Sequence, residues 1–252
     1  LIVQGDVPAR GTWLLHLDAQ GGRFLPADDL AGLGVYATAE RLREKYGDKV
    51  AMALIGPAGE MRLAAASITN LDKDHVPSRK NGRGGRGALL GPRRLKAVII
   101  DSSGGTRPPL LDAELFKAAQ KLFTKEVMAH PQTAVYRDYG TASLVALCQG
   151  IGALPTRNFS SGTFEKADEI SGETLRDVML ARPDSCNPST ACMPGCTIRS
   201  SNVFGAADGT PIVTPLEFET MGLMGSNLGI GELEAIGRLN HQINDIGLDS
   251  ID

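Results

Sequence analysis

Apolar positions change their period part-way along the chain. Up to Asp101 they come in short runs. Leu1-Ile2-Val3-Gln4-Gly5 and Thr12-Trp13-Leu14-Leu15-His16-Leu17 read as two strands around a turn at Pro8. Lys49 to Ile55 and Lys96 to Asp101 are compact Val/Ala/Ile-rich runs, too short for helices and suited to buried strands. Between them, Gly56-Pro57-Ala58-Gly59-Glu60 predicts a reversal, and Arg62 to Thr69 a strand that closes a hairpin. One helix interrupts the strands at Thr38 to Tyr46. Ala39, Leu42 and Tyr46 share a face, Thr38 is the expected cap and Gly47 the stop.

Beyond Ser102-Ser103-Gly104-Gly105-Thr106-Arg107-Pro108-Pro109 the period lengthens to that of a helix. Asp112 to Met128 carries Leu115, Ala118, Ala119, Leu122 and Phe123 as one stripe, with Asp112 as cap. Gly140 to Gly150, Ser171 to Ala181 and Gly229 to Ile246 also read as helices. Strands first and helices second predict an α+β fold. Residues 1–107 are the expected β-rich part, and residues 108–252 a mainly helical domain.

Composition narrows the function classes. With 252 residues, 42% hydrophobic and 22% charged, the chain has ample material for a core. A net charge of −3 argues against a general nucleic-acid binder. No apolar run is long enough to cross a bilayer, so no membrane partner is expected. Grouped thiols without an export signal predict a reducing, cytoplasmic setting. The chain starts at Leu1 inside an apolar run and stops at Asp252 just after a motif, which predicts an internal piece of a longer protein.

Three of the four cysteines, Cys186, Cys192 and Cys196, fall within eleven residues, the last two around a Pro-Gly turn. Such a turn points successive sulfurs at one soft metal centre; buried inert thiols or a disulfide are the alternatives. Cys148, in the apolar run Leu144 to Leu147, reads as packing. In Lys80-Asn81-Gly82-Arg83-Gly84-Gly85-Arg86-Gly87, glycines let backbone N–H groups approach an anion, and Arg83 and Arg86 add forked donors for phosphate oxygens. A flexible basic loop is the plainer reading. Glu217-Phe218-Glu219-Thr220 sets carboxylates against an aromatic ring, suited to acid–base work or to starting a helix. Asn244 to Asp249 offers side chains for the polar edge of a heterocycle or for helix caps. His16, His75, His130 and His241 fit no metal-ligand spacing.

In order along the chain, these motifs resemble the aldehyde ferredoxin oxidoreductase family of tungsten and molybdenum bis-pterin enzymes. The resemblance rests on Gly56 to Glu60, Gly82 to Ala88 with Leu95-Lys96-Ala97, and Arg157-Asn158-Phe159. It continues through the Cys192/Cys196 turn, Glu217 to Thr220, Gly225-Ser226-Asn227-Leu228-Gly229 and Asn244 to Asp249. It implies a molybdopterin-type cofactor whose phosphates and bridging Mg2+ are held by Arg83, Gly84, Gly85, Arg86 and Gly87. Arg157, Asn158, Asn244 and Asp249 are implied as further cofactor-binding residues, and Glu219 as the acid–base group. Cys192, Cys196 and position 200 are implied ligands of a [4Fe-4S] cluster. Position 200 is Ser200, a poor cluster ligand: either the cluster is altered or absent, or Cys186 substitutes, or the residue reflects sequence error or engineering. The implied activity is oxidation of aldehydes to carboxylic acids with electrons passed to ferredoxin or a similar carrier, and a homo-oligomer is allowed. The chain by itself is expected to lack a full cluster and to be inactive. A zinc-binding or interaction domain, or a paralogue acting on another substrate, is the alternative.

Overall fold

A computed structural model describes residues 10–81, 83–106 and 108–251. The strand expected at Leu1 to Gly5, and Gly82 of the basic loop, lie outside the described residues. The chain divides into two compact units. One holds the residues up to Thr106 together with Gln242–Ser250; the other holds the residues from there to His241.

Among the described residues, the first unit has six strands: β1 (Trp13–Asp18), β2 (Gly21–Pro26), β3 (Ala51–Leu54), β4 (Thr69–Asn70), β5 (Arg79–Lys80) and β6 (Leu95–Ile100). They form one mixed sheet in the order β2-β1-β6-β3-β4-β5, in which β1 and β6 run parallel and the other neighbours antiparallel. A parallel pair needs a long connection, which contains helix α1 (Val35–Tyr46). Val35, Ala39 and Leu42, at helical spacing, pack on Leu14, Leu54, Ala97 and Ile99. Burying a side chain such as Leu42 or Ile99 contributes about 1.5–3 kcal/mol.

Three local expectations are corrected here. Helix α1 begins three residues before Thr38, whose hydroxyl instead donates to Gly34 O at 2.7 Å. The N-terminus is satisfied from far along the chain, because Tyr36 N–H donates to Asp245 Oδ1 at 3.1 Å. Gly56 to Glu60 is not an open reversal but leads into a short helix, α2 (Pro57–Glu60). Of the strand expected at Arg62 to Thr69, only its end pairs with β3, through Thr69. The preceding backbone bonds elsewhere: Ala66 O accepts from Gly87 N–H at 2.8 Å, and Ser67 N–H donates to Gly247 O at 2.8 Å.

The second unit is mainly helical: α4 (Ala113–Ala129), α5 (Pro131–Tyr139), α6 (Leu144–Gly150), α7 (Gly172–Leu180) and α9 (Leu233–Ile246), whose last residues belong to the first unit. With the mixed sheet before it, the fold is α+β. Asp112 caps α4, accepting from Leu115 N–H at 2.9 Å, and Ser171 caps α7. The stripe expected on α4 stays in solvent, with Leu115, Leu122 and Phe123 each at least 60% exposed. Helix α9 starts at Leu233, later than expected, because Gly229 takes a left-handed φ of +74°. A small sheet of β7 (Asn187–Thr190), β8 (Ser201–Gly205) and β9 (Pro211–Val213) has no counterpart in the sequence reading. Phe204 on β8 packs with Phe164, Ile170, Leu175, Leu216 and Ile236 in the core.

Candidate functional site

In the first unit the basic loop and the Asn244 to Asp249 turn meet. Helix α9 ends at Gly247, whose φ of +86° lets it reverse direction. The turn is then bonded to the segment before β4: Gly247 O accepts from Ser67 N–H, and Asp249 N–H donates to Ala65 O at 2.9 Å. On the other side of that segment, the basic loop runs into helix α3 (Gly87–Leu90). A Cβ on Gly87 would sit 2.5 Å from Ser67 O, and one on Gly85 would strike the Ala64 carbonyl. These two glycines are therefore demanded by the protein's own backbone. Gly84, at φ +85°, has nothing within 4 Å of its missing side chain and keeps an open side.

The side chains that converge are charged. Arg83 Nε lies 3.4 Å from Asp249 Oδ1, and the Asp249 side chain is 3% exposed. Lys80, which the sequence reading did not single out, joins them. Burial pushes its amine down to about 8 against an opposing pull from Asp249, and Nζ donates to Thr69 Oγ1 at 3.1 Å. A buried ammonium with a depressed pKa favours a nearby anion. Arg86 is exposed on the same loop. Asn244 and Asp245 have protein partners. Asp245 caps α1, and Asn244 lies against the Tyr36 hydroxyl, which burial pushes up to about 12. Beside the base of the loop, Glu60, Arg62, Arg94 and Lys96 line a cleft of about 260 Å³ that does not include Arg83. Lys96 Nζ is fully buried and donates to Leu33 O at 2.8 Å and to the Glu60 carboxylate.

The second unit carries the remaining candidates. Glu219 sits in a short helix, α8 (Phe218–Thr220), followed by a π-helical turn over Met221–Gly225. Such wide turns recur at functional sites. Glu219 Oε2 is buried with no hydrogen-bond partner among the described residues. A polar atom in that state needs a partner, and proton exchange is one use for it. Arg157, Asn158 and Phe159 are exposed, and the Arg157 guanidinium is engaged by the Glu165 carboxylate, with Nη1 donating to Oε2 at 2.9 Å.

The Cys192/Cys196 turn links β7 to β8. Burial pushes the Cys196 thiol up, but hydrogen bonds from Arg199 N–H, the Cys192 thiol and Ile198 N–H outweigh it and leave it below its ordinary value. Ser200 lies half-buried just before β8. Cys186 is buried apart, with Sγ accepting from Gly205 N–H at 3.1 Å. Among the described residues, no three His, Cys, Asp or Glu side chains gather as a metal site.

Two family models cover the chain: the aldehyde ferredoxin oxidoreductase N-terminal domain over residues 1–102 and domains 2 and 3 of the same enzyme over residues 118–252. The chain belongs to the aldehyde ferredoxin oxidoreductase family. It is 35% identical over 228 residues to the tungsten-containing aldehyde ferredoxin oxidoreductase of Thermococcus kodakarensis, covering 89% of this chain and 35% of that protein. The enzyme of the same name from Pyrococcus abyssi is 33% identical over 240 residues, 94% of this chain and 37% of the relative. An aliphatic sulfonate oxidoreductase, WOR-like subunit, of Pyrococcus furiosus is 30% identical over 203 residues, 80% of this chain and 30% of the relative. The chain thus spans about a third of the length of these relatives. In fold it is similar to the active-site complex BamBC of benzoyl coenzyme A reductase, at a TM-score of 0.66 and 17% identity over 95% of this chain and 36% of that one.

The donor set can be tested against the cofactor of this oxidoreductase family. Loop cations beside a buried carboxylate, with open space where a Gly84 side chain would be, fit a group that combines phosphate with a polar heterocycle edge. The cysteine turn supplies two thiols and a serine, which do not make a four-thiolate set.

Proposed function

We propose that this chain contributes cofactor-binding and acid–base residues to an enzyme that oxidises aldehydes to carboxylic acids. The observation that carries the reading is the meeting of the Gly-Arg loop with the buried Asp249 carboxylate at 3.4 Å. Arg83 and Arg86, brought close by the turn at Gly84 and Gly85, would hold the phosphates of a tungsten or molybdenum bis-pterin and their Mg2+. Asp249, with Asn244 beside it, would hold the polar edge of the heterocycle. When bound, that group supplies the oxygen-atom and electron chemistry of the reaction. Oxidation of the aldehyde by water releases two protons and two electrons. Glu219 Oε2 takes one of the protons, the other passes to solvent, and ferredoxin-type carriers take the two electrons. Cys192 and Cys196, with Ser200 at the third position, would serve a [4Fe-4S] cluster only with further thiolates from outside the turn. Arg157, held by Glu165, acts through Asn158 and the backbone of its turn, and not through its guanidinium.

In the full-length protein, Arg83→Ala should lower bound pterin per mole of protein while the fold, read by circular dichroism, is retained. Glu219→Gln should lower the turnover number by about 10²-fold with cofactor content unchanged. Wild-type pterin content in the first variant and wild-type turnover in the second would remove both assignments. The sulfonate oxidoreductase relative favours a second reading in which the substrate is not an aldehyde. Turnover of aliphatic sulfonates and of aldehydes, measured side by side, decides between them.

A further inference from the structure

Arg157, Asn158 and Phe159 sit in succession at φ of +44°, +55° and +59°. Residues with a Cβ visit this region singly, because the side chain crowds the following carbonyl; three in a row make a left-handed turn that is disfavoured at every step. Strain of this kind persists only where the surroundings over-determine it. Core packing does not impose it, since all three residues are exposed. Ser160 closes it locally, its hydroxyl donating to Arg157 O at 2.7 Å, while the turn's own three N–H groups all donate to one short segment. Arg157 N–H donates to Ser226 O at 3.0 Å, Asn158 N–H to Asn227 O at 2.8 Å, and Phe159 N–H to Asn227 Oδ1 at 2.9 Å.

That segment continues the element bearing Glu219. After Glu219 the chain passes through the π-helical turn Met221–Gly225 directly into Ser226 and Asn227. A π-helical turn fits poorly into a helix and keeps its shape through outside partners. Ser226 is fully buried, and its hydroxyl donates to Pro155 O at 2.6 Å while lying 3.2 Å from Gly222 O. Met221 is fully buried in the core at the other end. The left-handed turn and the wide turn therefore hold each other, and the Asn227 side chain supplies an acceptor between them.

We propose that Asn227 is a positioning residue for the Glu219 carboxyl. It holds the 157–159 turn, that turn fixes the π-helical segment, and the segment sets where Glu219 Oε2 lies; the inference rests on the acid–base reading of Glu219. An ångström of misplacement at a reacting group can cost up to about 10²-fold in rate. In the full-length holoenzyme, Asn227→Ala should lower kcat by about 10- to 10²-fold, with KM and cofactor content unchanged. It should also shift the limb of the kcat–pH profile that Glu219→Gln abolishes, which a merely structural role would leave in place. Asn227→Asp keeps an acceptor oxygen and should restore both readouts. Phe159→Gly in the Asn227→Ala background removes a strained position and should restore them too, while protecting the variant from simple misfolding. Wild-type kcat and pH limb in Asn227→Ala, with Glu219→Gln impaired, would overturn the positioning role alone. A loss that neither Asn227→Asp nor Phe159→Gly repairs would overturn it as well. Unimpaired Glu219→Gln would instead overturn the acid–base reading on which it rests.

Discussion

Gly56 measures how tightly the Asn244 to Asp249 turn is bound to the first unit. Its φ of −88° is open to any residue, so glycine is needed there for space alone. A Cβ at Gly56 would lie 2.6 Å from the carbonyl carbon of Ile246, closer still to its oxygen, and 2.9 Å from Gly247 N. All three are backbone atoms and cannot swing aside as a side-chain tip can. Gly56→Ala must therefore push the turn outward. Overpacking of this kind costs about 1–3 kcal/mol. Displacement also strains the bonds from Ser67 N–H to Gly247 O and from Asp249 N–H to Ala65 O, each worth about 0.5–1.5 kcal/mol. Together these give a loss of about 2–6 kcal/mol. Urea denaturation reads the total, and amide hydrogen exchange locates it: Ser67 and Asp249 should lose protection together. Gly150→Ala is the matched control, because its Cβ would meet nothing within 4 Å. That variant should be neutral or gain up to about 1 kcal/mol from the stiffer unfolded chain. If Gly56→Ala stays within about 0.5 kcal/mol of wild type, the scale of ordinary surface changes, and Asp249 keeps its protection, the close-approach argument is wrong.

Two further outcomes test neighbouring parts of the structure. Lys80 titrates at about 8 when folded, against 10.5 ordinarily, so between these values the unfolded chain binds more protons and stability rises with pH. The rise should amount to about 2–3 kcal/mol at most by ~1.36 kcal/mol per pKa unit; urea midpoints from pH 7 to 10 should show it in the wild type and not in Lys80→Met. Asp112→Ala removes the side-chain acceptor at the start of α4 and should cost about 1 kcal/mol, read as a lower urea midpoint and increased exchange at the Leu115 amide; an unchanged Leu115 amide would remove the cap.

Much of the secondary structure was legible because it is decided locally. The apolar runs that became β3 and β6, the stop at Gly47 and the cap at Asp112 depend on residues within a few positions of one another. The start of α1 was not legible, because the group that satisfies it is Asp245, distant in sequence. Nor was the fate of Arg62 to Thr69, whose pattern suits a strand but whose backbone bonds to Gly87 and Gly247. The strands β7 to β9 were hidden because Asn187-Pro188-Ser189-Thr190 carries no strand signal, and only pairing across the cysteine turn makes it one.

The candidate site divides along the same line. Glycine-arginine spacing, the paired cysteines, the Glu-Phe-Glu-Thr stretch and the Asn244 to Asp249 turn are short-range patterns of residue type, so the sequence by itself displays the chemistry on offer. Which of those groups meet is a matter of three-dimensional packing. The tertiary structure alone joins Arg83 and Lys80 to Asp249, occupies Arg157 with Glu165, buries Cys186 against Gly205 and leaves Glu219 Oε2 without a partner among the described residues. It also sets Gly85 and Gly87 against other backbone, so their glycine identity reports packing as much as ligand access. Burial and long-range contacts depend on the whole folded chain. No stretch of a dozen residues contains them.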